Sequence, residues 1–94
     1  MSSEHLHTRI ILITGKVQGV YFRQSACKTA DECGCTGEVC NLPDGSVKII
    51  ATGTRFQLDE FAEWCKSGPP RARVVTVTVT ETTLQQYKEF RIVR

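Results

Sequence analysis

The sequence predicts an α+β fold, a two-layer sandwich with both helices on one face of an antiparallel sheet. Three observations carry that expectation: a β-branched apolar run near the start, two separate stretches of helical apolar spacing, and an alternating Val/Thr segment beyond the second of them. The resulting order is β-α-β-β-α-β with a short extra strand at the C-terminus. The 94 residues allow one domain burying roughly 60 to 65% of its unfolded surface. We expect a flexible N-terminus over residues 1–7 and a single domain over 8–94.

Thr8-Arg9-Ile10-Ile11-Leu12-Ile13-Thr14 has the β-branched content of a strand buried on much of both faces. Gly15 and Gly19 break that pattern and predict a loop with unusual backbone dihedrals. From Phe22 the spacing changes: Phe22, Ala26, Ala30 and Cys33 form one helical stripe, ending near Gly34. Residues 37–41 and 46–51 flank Leu42-Pro43-Asp44-Gly45, a turn joining two strands of a hairpin. Thr54 and Gln57 make a capping-box pattern, Leu58, Phe61, Ala62 and Cys65 the apolar face behind it, and Gly68-Pro69-Pro70 ends that helix. Val75, Val77 and Val79 alternate with Thr76, Thr78 and Thr80 as a half-buried strand, and Phe90-Arg91-Ile92-Val93 closes the chain.

Composition narrows the function classes. Twelve Lys and Arg against ten Asp and Glu leave +2, too little for the basic clustering of nucleic-acid or membrane-surface binders. No run approaches the roughly 18 apolar residues of a membrane span, and the N-terminus lacks the apolar core of a signal peptide. The expectation is a cytoplasmic protein whose five cysteines, Cys27, Cys33, Cys35, Cys40 and Cys65, stay reduced. Four of them fall at spacings of 6, 2 and 5 with no histidine nearby, unlike the paired ligands of a zinc site. Cys33 and Cys65 read as small buried hydrophobes. Strand alternation aims Cys40 away from Asn41, and Cys33 and Cys35 are candidates for exposure near a helix end.

If the split βαβ unit is right-handed, the first two strands run parallel with the third between them. The loop after the first strand and the end of the second then share one sheet edge, so residues 15–23 face Asn41 across a span that a small ligand can bridge. Gly15-Lys16-Val17-Gln18-Gly19-Val20-Tyr21-Phe22-Arg23 places a glycine-containing loop before a helix. Successive amides and the positive end of the helix dipole make an anion site there, and Arg23 adds a planar fork for two phosphate oxygens. The Gly-Lys-Ser/Thr of a nucleotide-hydrolysing P-loop is missing. From local physics alone, a tight turn with a solvated arginine explains the same residues, and Asn41 is equally at home as a turn residue.

That segment, with Gly37-Glu38-Val39-Cys40-Asn41-Leu42-Pro43-Asp44-Gly45-Ser46-Val47, resembles the two signatures of the acylphosphatase family. The likeness extends from about Thr8 to Arg94 and takes in Trp64, Gly68-Pro69-Pro70 and the Val-rich strand. It implies a ferredoxin-like fold and hydrolysis of acyl phosphates to a carboxylate and inorganic phosphate, with no metal and no cofactor. Carried onto this chain, Arg23 and the amides of Gly15, Lys16, Val17, Gln18, Gly19, Val20 and Tyr21 hold the phosphate. Asn41 positions the attacking water, and a phosphate oxygen of the substrate takes its proton. Inorganic phosphate, the product, is expected to inhibit competitively, and the enzyme to act as a monomer without nucleic-acid or membrane partners.

Other residues have plainer readings. Lys16 either adds field for the anion or is a solvated turn residue. Tyr21 reads as a pocket wall, Phe22 as core, Trp64 as a cover for the sheet edge, His5 and His7 as tail, and Arg71 and Arg73 as surface. Three rival functions share the element order. An RNA-binding module needs exposed aromatics on central strands, and residues 8–14 and 46–52 contain none. A metal carrier needs Cys-x-x-Cys where this chain has residues 17–20. The third is a carbamoyl-phosphate-binding domain of a larger enzyme.

Overall fold

Ile11, Ile13, Val39, Val47, Ile49 and Ala51 have no exposed surface, and they occupy every second position of three neighbouring strands. That period-2 pattern builds one continuous apolar sheet face, which the helices cover. The computed structural model describes residues 5–93. Its elements are β1 (His7–Lys16), α1 (Phe22–Cys33), β2 (Thr36–Asn41), β3 (Val47–Gly53), α2 (Arg55–Cys65), β4 (Arg73–Thr82) and β5 (Phe90–Ile92). The sheet order is β4-β1-β3-β2-β5, so β3 lies antiparallel between β1 and β2, as the split βαβ reading expects.

Helix α1 buries Phe22, Ala26 and Ala30, and α2 buries Leu58, Phe61 and Cys65. Gly34, at φ 86, takes the left-handed turn that ends α1. The capping box of α2 is complete: the Gln57 amide nitrogen of the backbone donates to Thr54 Oγ1 at 3.2 Å, and the Thr54 N–H donates to Gln57 Oε1 at 2.8 Å. Trp64 lies at the meeting of the two helices and not over a sheet edge. Its ring centroid is 5.3 Å from that of Phe22 and 6.1 Å from that of Phe61, and Phe61 meets Phe90 edge-on at 5.6 Å.

The sheet is mixed, where the sequence reading expects an antiparallel one. β5 pairs parallel to β2, with Val39 opposite Ile92. After β4 the chain crosses the open sheet face, where the Gln85 carbonyl accepts hydrogen bonds from Thr52 Oγ1 at 2.6 Å and Thr8 Oγ1 at 3.3 Å. This crossing reaches the far edge from the start of the sheet, which forces the parallel direction. β4 is also more exposed than expected, with Val75 74% and Val79 42% accessible, because an edge strand has a neighbour on only one side. In the first strand Ile11 and Ile13 are fully buried on the helix side, while Ile10, Leu12 and Thr14 on the other face are half-buried.

His7 belongs to β1, where its Nδ1 lies 2.7 Å from Glu81 Oε2, so it is not tail. Residues 1–4 of the expected flexible N-terminus lie outside the described residues. Cys35 is buried, contrary to the expected exposure, because it follows Gly34 back into the core, while Cys33 is half-buried. Burial, with the neighbouring Cys33 adding to it, pushes the Cys35 thiol up to about 12, and burial raises the Cys65 thiol as well.

Two measurements check these statements. Thr54→Ala removes the α2 cap and is expected to lower stability by about 1 kcal/mol in urea denaturation. Cys35 keeps its proton in the folded state to about pH 12, whereas an unfolded thiol releases it near its ordinary value of 9.0. Stability therefore falls as pH rises above about 9, and Cys35→Ala is expected to make that fall shallower in urea titrations across pH 8 to 11.

Candidate active site

From the end of β1 to the start of α1 the chain carries three positive-φ residues, Gly15, Gly19 and Tyr21. Gly15, at φ 124, sits where the β1–β4 register slips, and a Cβ there would run into the Arg73 carbonyl oxygen and come 2.8 Å from the Val75 nitrogen. Only glycine allows that approach. Val17 and Val20 are buried and pin the loop into the core, which leaves Gln18 and Gly19 at its rim. Tyr21, at φ 65, is the only non-glycine residue with positive φ among those described. It is the N-cap of α1 and makes no capping bond with its side chain, and the first turn carries no acidic residue. The first-turn amides of α1 therefore have no partner within the helix, and the positive end of the dipole opens outward.

Asn41 arrives from the other side. It ends β2 on the same face as buried Gly37 and Val39, above the helices' side of the sheet. The β2–β3 turn behind it is tightly bonded: the Leu42 N–H donates to the Ser46 carbonyl at 2.8 Å and the Gly45 N–H to the Leu42 carbonyl at 3.1 Å. Asp44 Oδ1 accepts from the Ser46 N–H at 3.0 Å and from Ser46 Oγ, and these bonds hold its carboxyl below the usual range. Gln18 Nε2 reaches across to this turn and donates to the Leu42 carbonyl at 2.8 Å and the Ser46 carbonyl at 2.9 Å.

Loop and strand end enclose a cavity of about 350 Å³. The loop contributes Val17, Gln18 and Gly19, the start of α1 contributes Tyr21, Phe22, Arg23 and Gln24, and Asn41 and Ile92 close the far wall. Among the described residues, no carboxylate lies within ion-pair distance of Arg23. Asn41 Oδ1 is the one buried side-chain polar atom without a hydrogen-bond partner among those described. An orphaned amide oxygen costs about 1–3 kcal/mol, so this wall of the cavity favours any donor that reaches it. The site combines a cation with free valence, unpartnered amides and an acceptor for a water O–H, the set that a phosphoryl-transfer reaction with water requires.

Of the residues expected to hold an anion, the structure gathers Val17, Gln18, Gly19, Tyr21 and Arg23 around the cavity, with Asn41 facing them. Gly15 and Lys16 belong to β1 and stand outside it, and Val20 is core. The sequence reading missed Gln24 and Ile92 as lining residues. Gln24 was accessible to reasoning, since it shares the uncapped first turn with Arg23. Ile92 was not, because only the parallel pairing of β5 with β2 brings it there.

Fold and site define a class: a ferredoxin-like α/β sandwich with a cavity at one end of its sheet where an unpaired arginine faces an unpartnered asparagine oxygen. The acylphosphatase family model matches residues 9–92, so the chain belongs to the acylphosphatase family, hydrolases acting on acid anhydrides. It is 44% identical over 85 residues to an acylphosphatase of Methylococcus capsulatus, covering 89% of this chain and 92% of that relative. Superposed on an acylphosphatase structure from Coxiella burnetii, it reaches a TM-score of 0.93 at 37% identity, over 99% of this chain and 100% of the other. It also matches 12% of full-length HypF, in a phosphate- and nucleotide-bound form, with a TM-score of 0.88, 27% identity and 99% of this chain covered.

The two loop glycines are expected to respond differently to a methyl group. A Cβ on Gly19 meets nothing within 4 Å, so Gly19→Ala bears only the left-handed strain of φ 73, about 1 kcal/mol. Gly15→Ala adds a collision with the β4 backbone worth about 1–3 kcal/mol more, and urea denaturation of the two variants checks the order.

Proposed function

We propose that the protein hydrolyses the carboxyl–phosphate anhydride of small acyl phosphates, giving a carboxylate and inorganic phosphate. The observation that carries this reading is the pairing, across one cavity, of an arginine without a carboxylate partner and an asparagine oxygen without a donor. Arg23 binds two phosphoryl oxygens with its fork, and the loop and first-turn amides take the remaining negative charge. Asn41 Oδ1 accepts an O–H from water and turns a lone pair toward phosphorus. As the water oxygen bonds to phosphorus, the bond from phosphorus to the acyl oxygen breaks and its electron pair leaves with the carboxylate. An amide oxygen takes no proton near neutral pH, so the water's proton passes to a phosphoryl oxygen of the substrate. The transition state is loose and the leaving group good, so positioning and charge stabilisation suffice.

The reading includes no metal: among the described residues no three His, Cys, Asp or Glu side chains converge as ligands. It includes a monomer. It places the protein in the cytoplasm, which suits five unpaired thiols. No helix among the described residues is long and apolar enough to cross a membrane.

Steady-state hydrolysis of benzoyl phosphate tests this. Activity is expected to survive a chelator and to be inhibited competitively by inorganic phosphate. Arg23→Gln and Asn41→Ala are each expected to lose on the order of a hundredfold in kcat while remaining folded by circular dichroism. A metal requirement, or parent rates in either folded variant, would overturn the reading.

A further inference from the structure

The cavity is made of two halves that are distant in sequence, and one side chain joins them. Residues 17–24 carry the anion cradle and residue 41 carries the orphaned oxygen. Among the described side-chain hydrogen bonds, those of Gln18 alone cross from the cradle to the β2–β3 turn. Its acceptors are the carbonyls of Leu42, the residue bonded to Asn41, and of Ser46, to which the Leu42 N–H also donates.

We propose that Gln18 is a positioning residue for catalysis: its amide clamps the β2–β3 turn and thereby sets where Asn41 holds water relative to the bound phosphoryl group. This rests on the acylphosphatase reading and adds a role beyond Arg23 and Asn41. The chemistry of the clamp is specific. A primary amide offers two N–H donors on one nitrogen, and both are used on carbonyls 2.8 and 2.9 Å away. The side-chain nitrogen is then unavailable to phosphate, so Gln18 touches the anion at most through its backbone. A glutamate would set carboxylate oxygens against two carbonyls, and an asparagine is one methylene too short to reach both. The clamp acts on alignment, and reactions that depend on alignment lose about a hundredfold for a displacement near 1 Å. Anion binding depends instead on Arg23 and the loop amides, which the buried Val17 and Val20 anchor independently of the clamp.

Gln18→Met, of similar shape without donors, and Gln18→Glu test this on benzoyl phosphate, with urea stability measured alongside. Gln18→Met is expected to lose roughly ten- to a hundredfold in kcat while the inhibition constant of inorganic phosphate changes less than about twofold. Gln18→Glu is expected to regain activity relative to the parent as pH falls below about 5, where its protonated carboxyl donates to one of the carbonyls again. In an Asn41→Ala background, Gln18→Met should cost less than about threefold, because the clamp acts through Asn41. Unchanged kcat in folded Gln18→Met, weakened phosphate inhibition in step with kcat, or a full loss in the Asn41→Ala background would each overturn the proposal and leave the acylphosphatase reading standing. A parent protein that neither hydrolyses benzoyl phosphate nor is inhibited by phosphate overturns both.

Discussion

The position of β3 between β1 and β2 is the constraint on which the rest of the site depends. Because β3 pairs antiparallel with both, β1 and β2 run in one direction and finish at the same end of the sheet. The loop that leaves β1 and the asparagine that ends β2 are thereby neighbours in space, although 17 residues of helix, turn and strand separate Arg23 from Asn41. Hydrogen-bonded register fixes this more firmly than side-chain packing does. A slip of one residue in β2 would turn Asn41 to the open face and Cys40 toward the helices.

Given that frame, the electrostatics are local. A net charge of +2 creates no strong field around the molecule, and the positive potential at the cavity comes from first-turn helix amides and the Arg23 guanidinium at one place. The buried Val17 and Val20 matter here as much as the polar atoms. They convert a glycine-containing loop, which would otherwise sample many conformations, into a fixed rim on a rigid core. Tyr21 in the left-handed region stores a further ~1–3 kcal/mol of strain at the N-cap, tolerated because the core on both sides of it leaves the backbone little choice.

How much of this was legible in the sequence follows from the range of each signal. Capping residues, turn glycines and the apolar stripes of α1 and α2 act over a few positions, and those elements were read with nearly their observed limits. Arg23 and Asn41 stand in motifs whose local physics alone is that of ordinary turns. The errors have a common cause in long-range placement. Nothing in Phe90-Arg91-Ile92 states that it pairs parallel to β2, and nothing in the Val/Thr alternation of β4 states that it lies at an edge. Cys35 looked exposed because it follows a helix end, but Gly34 in the left-handed region redirects the chain inward. His7 looked like tail because its partner, Glu81, is 74 residues away.

The hydrogen bonds around the cavity also explain how an unsatisfied oxygen can persist beside it. Buried polar groups in folded proteins are nearly always paired, and here the groups around the β2–β3 turn obey that rule through Gln18, Ser46 and Asp44. Asn41 Oδ1 is the exception among the described residues, one position away from that bonded turn. A loose surrounding structure would relax to satisfy that oxygen. The bonded turn limits that relaxation, so the oxygen stays open to a donor that enters the cavity. The dense bonding of the turn and the unpartnered Asn41 oxygen thus go together: well-bonded neighbours keep the backbone from shifting to satisfy it.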